Sequence, residues 1–499
     1  MKMNKIYKSL GLLLALSLFS SCYKDHSVNG DHPLAVVKVT EPIASVQTAT
    51  FGEVTVIKSP AYTITTGASV TPSYEWIVDG VVVSTEKDLS YSPTSYGKHD
   101  ARLRMYTPDG SYFYRFTIDV PYRYVDGLYV LASNEGKTIL SYLPGGEKTD
   151  AFDLDAFGRS NPTIDMTGDP QSMLFYRYVP GAGASRSYLG IALGLPTRYY
   201  RVSADSLKVL SPRISFTNPV DFSHASGNQA TVREYFISGA NVWEMERSAN
   251  VPAKKHDKYL SPVAPGYSLA SAIVNWRALT GTRISEGMAF FDNAGSNLLY
   301  MILGSRVTVK KVRTFAASAF PGGAPEETNP FEGMTLIDMK SAGEGNYTYN
   351  YTLLLLKRNS DNKYFVARLT AGDFTQSQSV DGATVSMVEF TEGTPTHLMP
   401  NLGGTAALVA TADKVYFYNM ANATATTHPA WISLPAGQTI ASMALTSDNR
   451  LFIGANGTGT GLVGSIYSYN VAGITPVLLK SEQGITGKIK QIVYRQFNN

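Results

Sequence analysis

"ALVATADKVYFYN" (residues 407–419) and "MALTSDNRLFIGA" (residues 443–455) share one form: an apolar strand, a polar turn carrying Asp or Asn, and a second strand with an aromatic residue. Short apolar runs bounded by turn residues are strand signals, and two of them joined this tightly make an antiparallel hairpin. Each reads as the inner hairpin of a four-stranded sheet. The form recurs upstream in "GLYVLAS" with "TILSYL", "SMLFYRYV" with "SYLGIAL", "REYFISG" with "NVWEMER", "GMAFFDN" with "NLLYMIL", and "YTLLLLKRN" with "YFVARLT". Such units repeating every 45 to 55 residues or so are the mark of a β-propeller. Residues 123–499 have the length of seven blades, with six or eight also compatible with the spacing. Two stacked β-sandwiches are the competing architecture. The propeller is favoured because helical periodicity is scarce and strands continue to "KIKQIVYRQF" (488–497). A final strand pairing in the first blade would close the ring and remove exposed edges.

Residues 34–122 have a different rhythm. "LAVVKV" (34–39), "EVTVIKSPAYTI" (53–64), "YEWIVDGVVVS" (74–84), "HDARLRMYT" (99–107) and "SYFYRFTIDVPY" (111–122) are separated by turn signals such as "VDG" and "TPDG". Several alternate apolar and polar, as one-sided strands do, which predicts a small immunoglobulin-like β-sandwich. The fold class is therefore all-β: an N-terminal sandwich followed by a propeller.

The N-terminus decides how the chain is held. Lys2, Lys5 and Lys8 precede an apolar run from Leu10 to Phe19, then Ser20, Ser21 and Cys22, the one cysteine of 499 residues. A basic start, a short apolar centre and small residues at a cleavage point are the layout of a secretory signal. The run is too short to span a membrane, which takes about 20 apolar residues. With Cys directly after the small residues, 1–21 resembles a bacterial lipoprotein signal, although Phe19 stands where Leu is usual. That resemblance implies acylation of Cys22, which becomes the mature N-terminus. Residues 22–33, "CYKDHSVNGDHP", are polar and read as a flexible tether.

Charge follows the same division. The chain carries 43 basic and 40 acidic residues, and the three lysines of 1–21 account for the whole excess. A balanced mature chain excludes the clustered positive surface that nucleic acid requires. Tyr outnumbers Phe, 31 to 21, as suits half-buried strands and wet binding surfaces.

The sandwich segment carries a more specific likeness. Tyr74 and Trp76 form a Y-x-W strand, a tight turn follows, Gly97 opens a second strand pair and Asp109-Gly110 turns it. This pattern resembles the PKD domains of cell-surface proteins. Together with "SSCYKD" and "YRYVDGLYVLASNEGKTILSYL", it resembles the PKD-like lipoproteins of Bacteroidetes over residues 20–145. The resemblance implies a surface protein encoded beside SusC/SusD-type nutrient uptake systems. Lys24-Asp25 resembles the charged export signal of such lipoproteins, which implies an outer-membrane anchor facing the cell exterior.

Catalytic motifs are missing from the sequence. No thiol is available beyond Cys22, and the seven histidines, His26, His32, His99, His224, His256, His397 and His428, form no close ligand pair. Asp153 with Asp155, and Asp165 with Asp169, lack EF-hand spacing and read as turn and cap residues. "GANGTGTGLVG" (454–464) lacks the G-K-[ST] ending of a phosphate loop and reads as a hairpin connection. No catalytic residue, metal site or cofactor is assigned. Of the four tryptophans, Trp76 fits the sandwich core and Trp243 blade packing. Trp276, beside Arg277, and Trp431, in a Pro-flanked segment, are the candidate ligand contacts, since aromatic rings stack on sugars and anchor protein partners.

The expected function is a lipid-anchored surface protein that binds a glycan, a peptide or a SusC/SusD-type component. One alternative is a polysaccharide hydrolase or lyase using the propeller funnel. Another is a structural scaffold of an outer-membrane complex.

Overall fold

The computed structural model describes residues 34–496 apart from 66–69, 147–150, 179–185, 195–197, 211–213, 216–220, 229–230, 239–240, 246–253, 256–267, 281–282, 303–307, 317–325, 343–350, 371–378, 381–383, 402–405 and 421–427. Cys22 and the tether lie outside the described residues. The chain divides between Tyr122 and Arg123 into two compact units. It is all-β; one five-residue helix, Ala156–Ser160, is described, and Asp155 caps it by accepting from the Gly158 N–H at 2.9 Å. Asp153 is buried and pairs with Arg159 at 3.0 Å. Asp155 is the cap residue its sequence context suggests, whereas Asp153 is a buried ion-pair partner and not a turn or cap residue.

The first unit is a β-sandwich. Its main sheet has the order Val46–Thr48, Gly110–Val120, Gly97–Thr107, Ser73–Val78, Val81–Ser84, and two strand pairs cover it. Alternation along Ser73–Val78 sends Tyr74, Trp76 and Val78 inward, as period-two strands require. Trp76 is fully buried, meets Phe116 edge-on at 6.1 Å, and satisfies its indole N–H on the Glu86 carbonyl at 2.9 Å. The turn between Val78 and Val81 is a two-residue loop in which Asp79 and Gly80 have φ of +48° and +82°. Two positive φ values in succession match the right-handed strand twist, and Gly80 supplies the second without a Cβ penalty.

That turn also holds a titratable group. His99 is buried, with Nδ1 2.6 Å from Asp79 Oδ2 and Nε2 3.0 Å from the Ser95 carbonyl. Burial works to lower its pKa, but two acceptors, one of them a carboxylate, raise it above the ordinary value. A raised pKa gives stability that is complete below the unfolded value, about 6.5, and is lost as pH rises through the folded value. His99→Gln is therefore expected to lower the melting temperature more at pH 6 than at pH 8. An equal loss at both would contradict a charged His99.

In the second unit the described strands form seven sheets of three or more strands. Their innermost strands are Asp169–Tyr178, Asp221–Asn228, Leu269–Thr280, Met334–Ala342, His397–Pro400, Thr439–Leu445 and Lys488–Arg495. Each contacts the next, and the last contacts the first, so the sheets form a closed ring: a β-propeller. Closure is made by the chain's end. Lys488–Arg495 pairs antiparallel with Gly127–Asn134, whose other neighbour is Lys137–Pro144.

Five of the seven apolar hairpins are the inner pair of their sheets, as their sequence suggests, whereas Asp169–Gly194 and Thr439–Asn456 include the innermost strand. Gly127–Pro144, Tyr351–Thr370 and Ala406–Asn419 supply the second and third strands, not the innermost. Middle strands are covered on both faces, so they read as unbroken apolar runs; Leu353 to Leu356 are all fully buried. An innermost strand borders the channel and keeps polar residues.

Six of the seven innermost strands break register, for example between Leu336 and Asp338 and between Ile440 and Ser442. Three of these breaks place a polar side chain against the next innermost strand. Asp338 Oδ2 accepts from the Leu398 N–H at 2.9 Å, Ser442 Oγ from the Ile492 N–H at 3.1 Å, and Gln491 Oε1 from the Met173 N–H at 2.6 Å. A strand's open inner edge thus finds acceptors across the ring, and buried N–H groups left unpaired would each cost about 1–3 kcal/mol. Gln491→Met keeps the volume and removes the acceptor. It is expected to destabilise this unit by about 1–2 kcal/mol, read by urea unfolding.

Candidate functional site

Two adjacent sheets, those built on His397–Pro400 and Thr439–Leu445, enclose a pocket of about 570 Å³. Its first wall comes from the strand Lys414–Asn419, whose alternation buries Val415, Tyr416 and Tyr418 and turns Phe417 outward. Trp431 is set beside Phe417 by backbone pairing: its N–H donates to the Val415 carbonyl at 2.8 Å, and Val415 faces Ile432 in the adjoining strand. The ring centroids stand 5.3 Å apart with planes tilted by 51°, a direct contact that joins the two rings into one angled aromatic wall. Trp431 Nε1 donates to the Ile474 carbonyl at 2.7 Å, fixing the indole against the turn that forms the second wall. Ile474 itself is 95% exposed at the rim.

The polar part of the rim is amide and imidazole. Asn401 Oδ1 accepts from the Ala406 N–H at 2.9 Å, which leaves its Nδ2 to donate. Asn449 holds φ of +62° in the turn, and its carbonyl accepts from the Val471 N–H at 2.8 Å. His428 is anchored through its backbone N–H to Glu392 Oε1 at 2.8 Å and meets Tyr418 edge-on at 4.2 Å. Glu392 also accepts from the Tyr418 hydroxyl. Burial pushes the Tyr418 phenol well above its usual range, with Glu392 adding to it, while the hydrogen bonds at Glu392 outweigh burial and hold that carboxyl low. The Glu392–Tyr418 pair thereby fixes the segment that carries His428.

A second cavity, about 370 Å³, is the funnel, bounded by six of the seven innermost strands. Asp338 is the carboxylate among its described lining residues. Both its oxygens are engaged, by the Leu398 and Met339 N–H groups and by Lys340 Nζ at 3.1 Å. His397 Nδ1 lies 2.9 Å from Thr396 Oγ1. Burial lowers its pKa against the opposing pull of Asp338, so the ring is neutral near pH 7. Glycoside hydrolysis by the usual route takes two carboxylates, one of them free to carry a proton. The described lining provides one, already bonded.

Of the residues singled out in the sequence, Trp431 lies in the first pocket. Trp276 and Arg277 belong to the innermost strand Leu269–Thr280, opposite Gly287 and Glu286, and their side chains lie outside the described residues, as does that of Trp243. Of residues 454–464, 457–463 are the hairpin connection between the strands Arg450–Asn456 and Gly464–Asn470, and the others belong to those strands. Phe417, Asn401 and Ile474 carried no signal in the sequence. Among the described residues no group of His, Cys, Asp and Glu is placed to hold a metal ion, and no helix is long and apolar enough to cross a membrane.

Comparison with known proteins adds breadth and no activity. No family model matches the chain, and no curated protein does. Among solved structures, a quinonprotein alcohol dehydrogenase-like protein from Bacteroides thetaiotaomicron is similar over 92% of this chain and 97% of its own, at 12% identity and a TM-score of 0.40. A DUF4784 family protein from Bacteroides caccae is similar over 93% and 100%, at 9% identity and a TM-score of 0.32. Dihydro-heme d1 dehydrogenase NirN is similar over 75% and 76%, at 10% identity and a TM-score of 0.37. The class of protein is defined by this chain's own strand pairing: an all-β chain with a sandwich and a ring-closed propeller.

Proposed function

We propose that the protein is a lipid-anchored binding protein of the outer membrane, displayed on the cell exterior and accessory to SusC/SusD-type uptake, with the Trp431 pocket as its ligand site. The propeller is read as seven-bladed. The observation that carries the binding reading is the pocket itself: two tilted aromatic rings, one held by a hydrogen bond through its only polar atom, beside amide and imidazole side chains. Pockets of about 300–1,000 Å³ with a mostly apolar lining and a few placed polar groups are the usual form of small-ligand sites. Attachment rests on Cys22 and the segment before it. One acyl chain binds a bilayer only marginally, so stable anchoring takes the multiple acylation typical of bacterial lipoproteins.

The test has two arms. Binding of the purified chain to glycan and peptide arrays, with wild type beside Trp431→Ala, should show a ligand that the variant loses. Protease treatment of intact cells expressing the wild type and Cys22→Ala should degrade the wild type at the surface, whereas the variant leaves the membrane fraction. Hydrolytic turnover of polysaccharide without Trp431-dependent binding would replace this reading with the funnel enzyme, for which Asp338, Lys340 and His397 are the residues to change.

A further inference from the structure

From the chemistry of its lining we infer that the Trp431 pocket takes an uncharged saccharide, recognised by the apolar face of a sugar ring and by hydroxyl contacts, and discriminates against acidic or sulfated glycans. This rests on the reading of the pocket as the ligand site.

No Asp, Glu, Lys or Arg is among the described residues that line the pocket. Recognition of a uronate or sulfate calls for charge-assisted donors such as Arg or Lys, and an anion brought into an apolar cleft without one loses its hydration uncompensated. The aromatic pair points the same way. Because Trp431 Nε1 is spent on the Ile474 carbonyl, the indole has no donor left for a ligand and can offer only ring surface. Phe417 and Trp431 touch at 5.3 Å, so together they offer one continuous, angled aromatic surface to the pocket. A pyranose presents a face of C–H groups that such rings cover, with hydroxyls around its edge.

Those hydroxyls both donate and accept, which suits the amide and imidazole partners at the rim. Asn401 contributes Nδ2, Asn449 a side-chain amide, and the His428 ring either a donor or an acceptor. A hydrocarbon ligand would bury these three without partners, which favours a polyol edge over an aliphatic side chain.

Isothermal titration calorimetry of the full chain tests this. The probes are cellohexaose, maltohexaose, xylohexaose and mannohexaose as uncharged ligands, hexagalacturonate and a heparin hexasaccharide as charged ones, and an apolar hexapeptide. The expected result is binding of at least one uncharged hexasaccharide, weakened at least 30-fold by Trp431→Ala and mostly retained by Trp431→Phe. Its Kd should change less than twofold between 20 and 500 mM NaCl, because no ion pair is available to be screened. Asn401→Ala should weaken it severalfold. Binding of a charged glycan, or of the peptide, that depends on Trp431 while every uncharged hexasaccharide is silent would overturn the saccharide class and leave the pocket standing. No binding by any probe, or binding indifferent to Trp431→Ala, would overturn both.

Discussion

Deleting residues 488–499 is expected to abolish cooperative folding of the 123–499 unit, the largest effect that any small change should have on this protein. The strand Lys488–Arg495 is the innermost element of its sheet and borders both neighbouring sheets, so its loss turns a ring into an open arc. It would expose the Gly127–Asn134 edge and leave the Met173 N–H without Gln491. It would also strip Asn456 of its paired bonds to Ile489, 2.7 and 2.9 Å long. Calorimetry should then show the loss of the larger transition. A truncated chain that melts like the intact one would refute closure by the C-terminal strand.

A point change isolates the strongest single tie. Arg495 is buried and donates to the Asp205 carboxylate and, at 2.9 Å, to the Tyr124 carbonyl. Removing one partner of a buried ion pair costs about 3–5 kcal/mol because the other charge is left uncompensated. Asp205 is partly exposed, so water can recover some of that loss. Arg495→Ala should cost about 3 kcal/mol by chemical denaturation, and Arg495→Ala with Asp205→Ala less than that single change.

The second large effect concerns binding. Trp431→Ala is expected to weaken the ligand at least 30-fold, corresponding to the roughly 2 kcal/mol that defines an aromatic hot spot. The same change should alter stability little. Trp431 is half-buried at the edge of the core formed by Leu408, Val415 and Ile432, so its loss costs one hydrogen bond, to a carbonyl that water can then reach, and only edge packing. Loss of binding with the melting temperature preserved separates a contact residue from a core residue, and a collapse in stability would reassign Trp431 to packing.

Ring closure and ligand contact were unequally legible. The hairpins from "GLYVLAS" to "MALTSDNRLFIGA" could be read because strands buried on both faces become apolar runs bounded by turn residues. The strand that lies innermost in each sheet could not, since one such as Met334–Ala342 mixes Asp338 and Lys340 with Leu336 and Met339, and breaks its alternation at a bulge. The polar ties across the ring escaped for the same reason: nothing local marks Gln491 as the acceptor for Met173, more than 300 residues away. Trp431 was legible as a tryptophan in a Pro-flanked segment poorly suited to a core. Asn401, Phe417 and Ile474 were not, because three separate segments bring them together.

The sequence by itself determined the class of fold and the last strand's suitability for closing a ring, and it alone carries the proposal of Cys22 as the point of attachment. These are properties of local pattern: strand periodicity, turn residues, and the order of charge and apolarity near the N-terminus. Tertiary structure alone decided which strands face the channel, how bulges aim side chains at the next sheet, and which residues surround Trp431. Those depend on register and on contacts between distant segments, and a shift of one residue in register reverses every side chain on a strand.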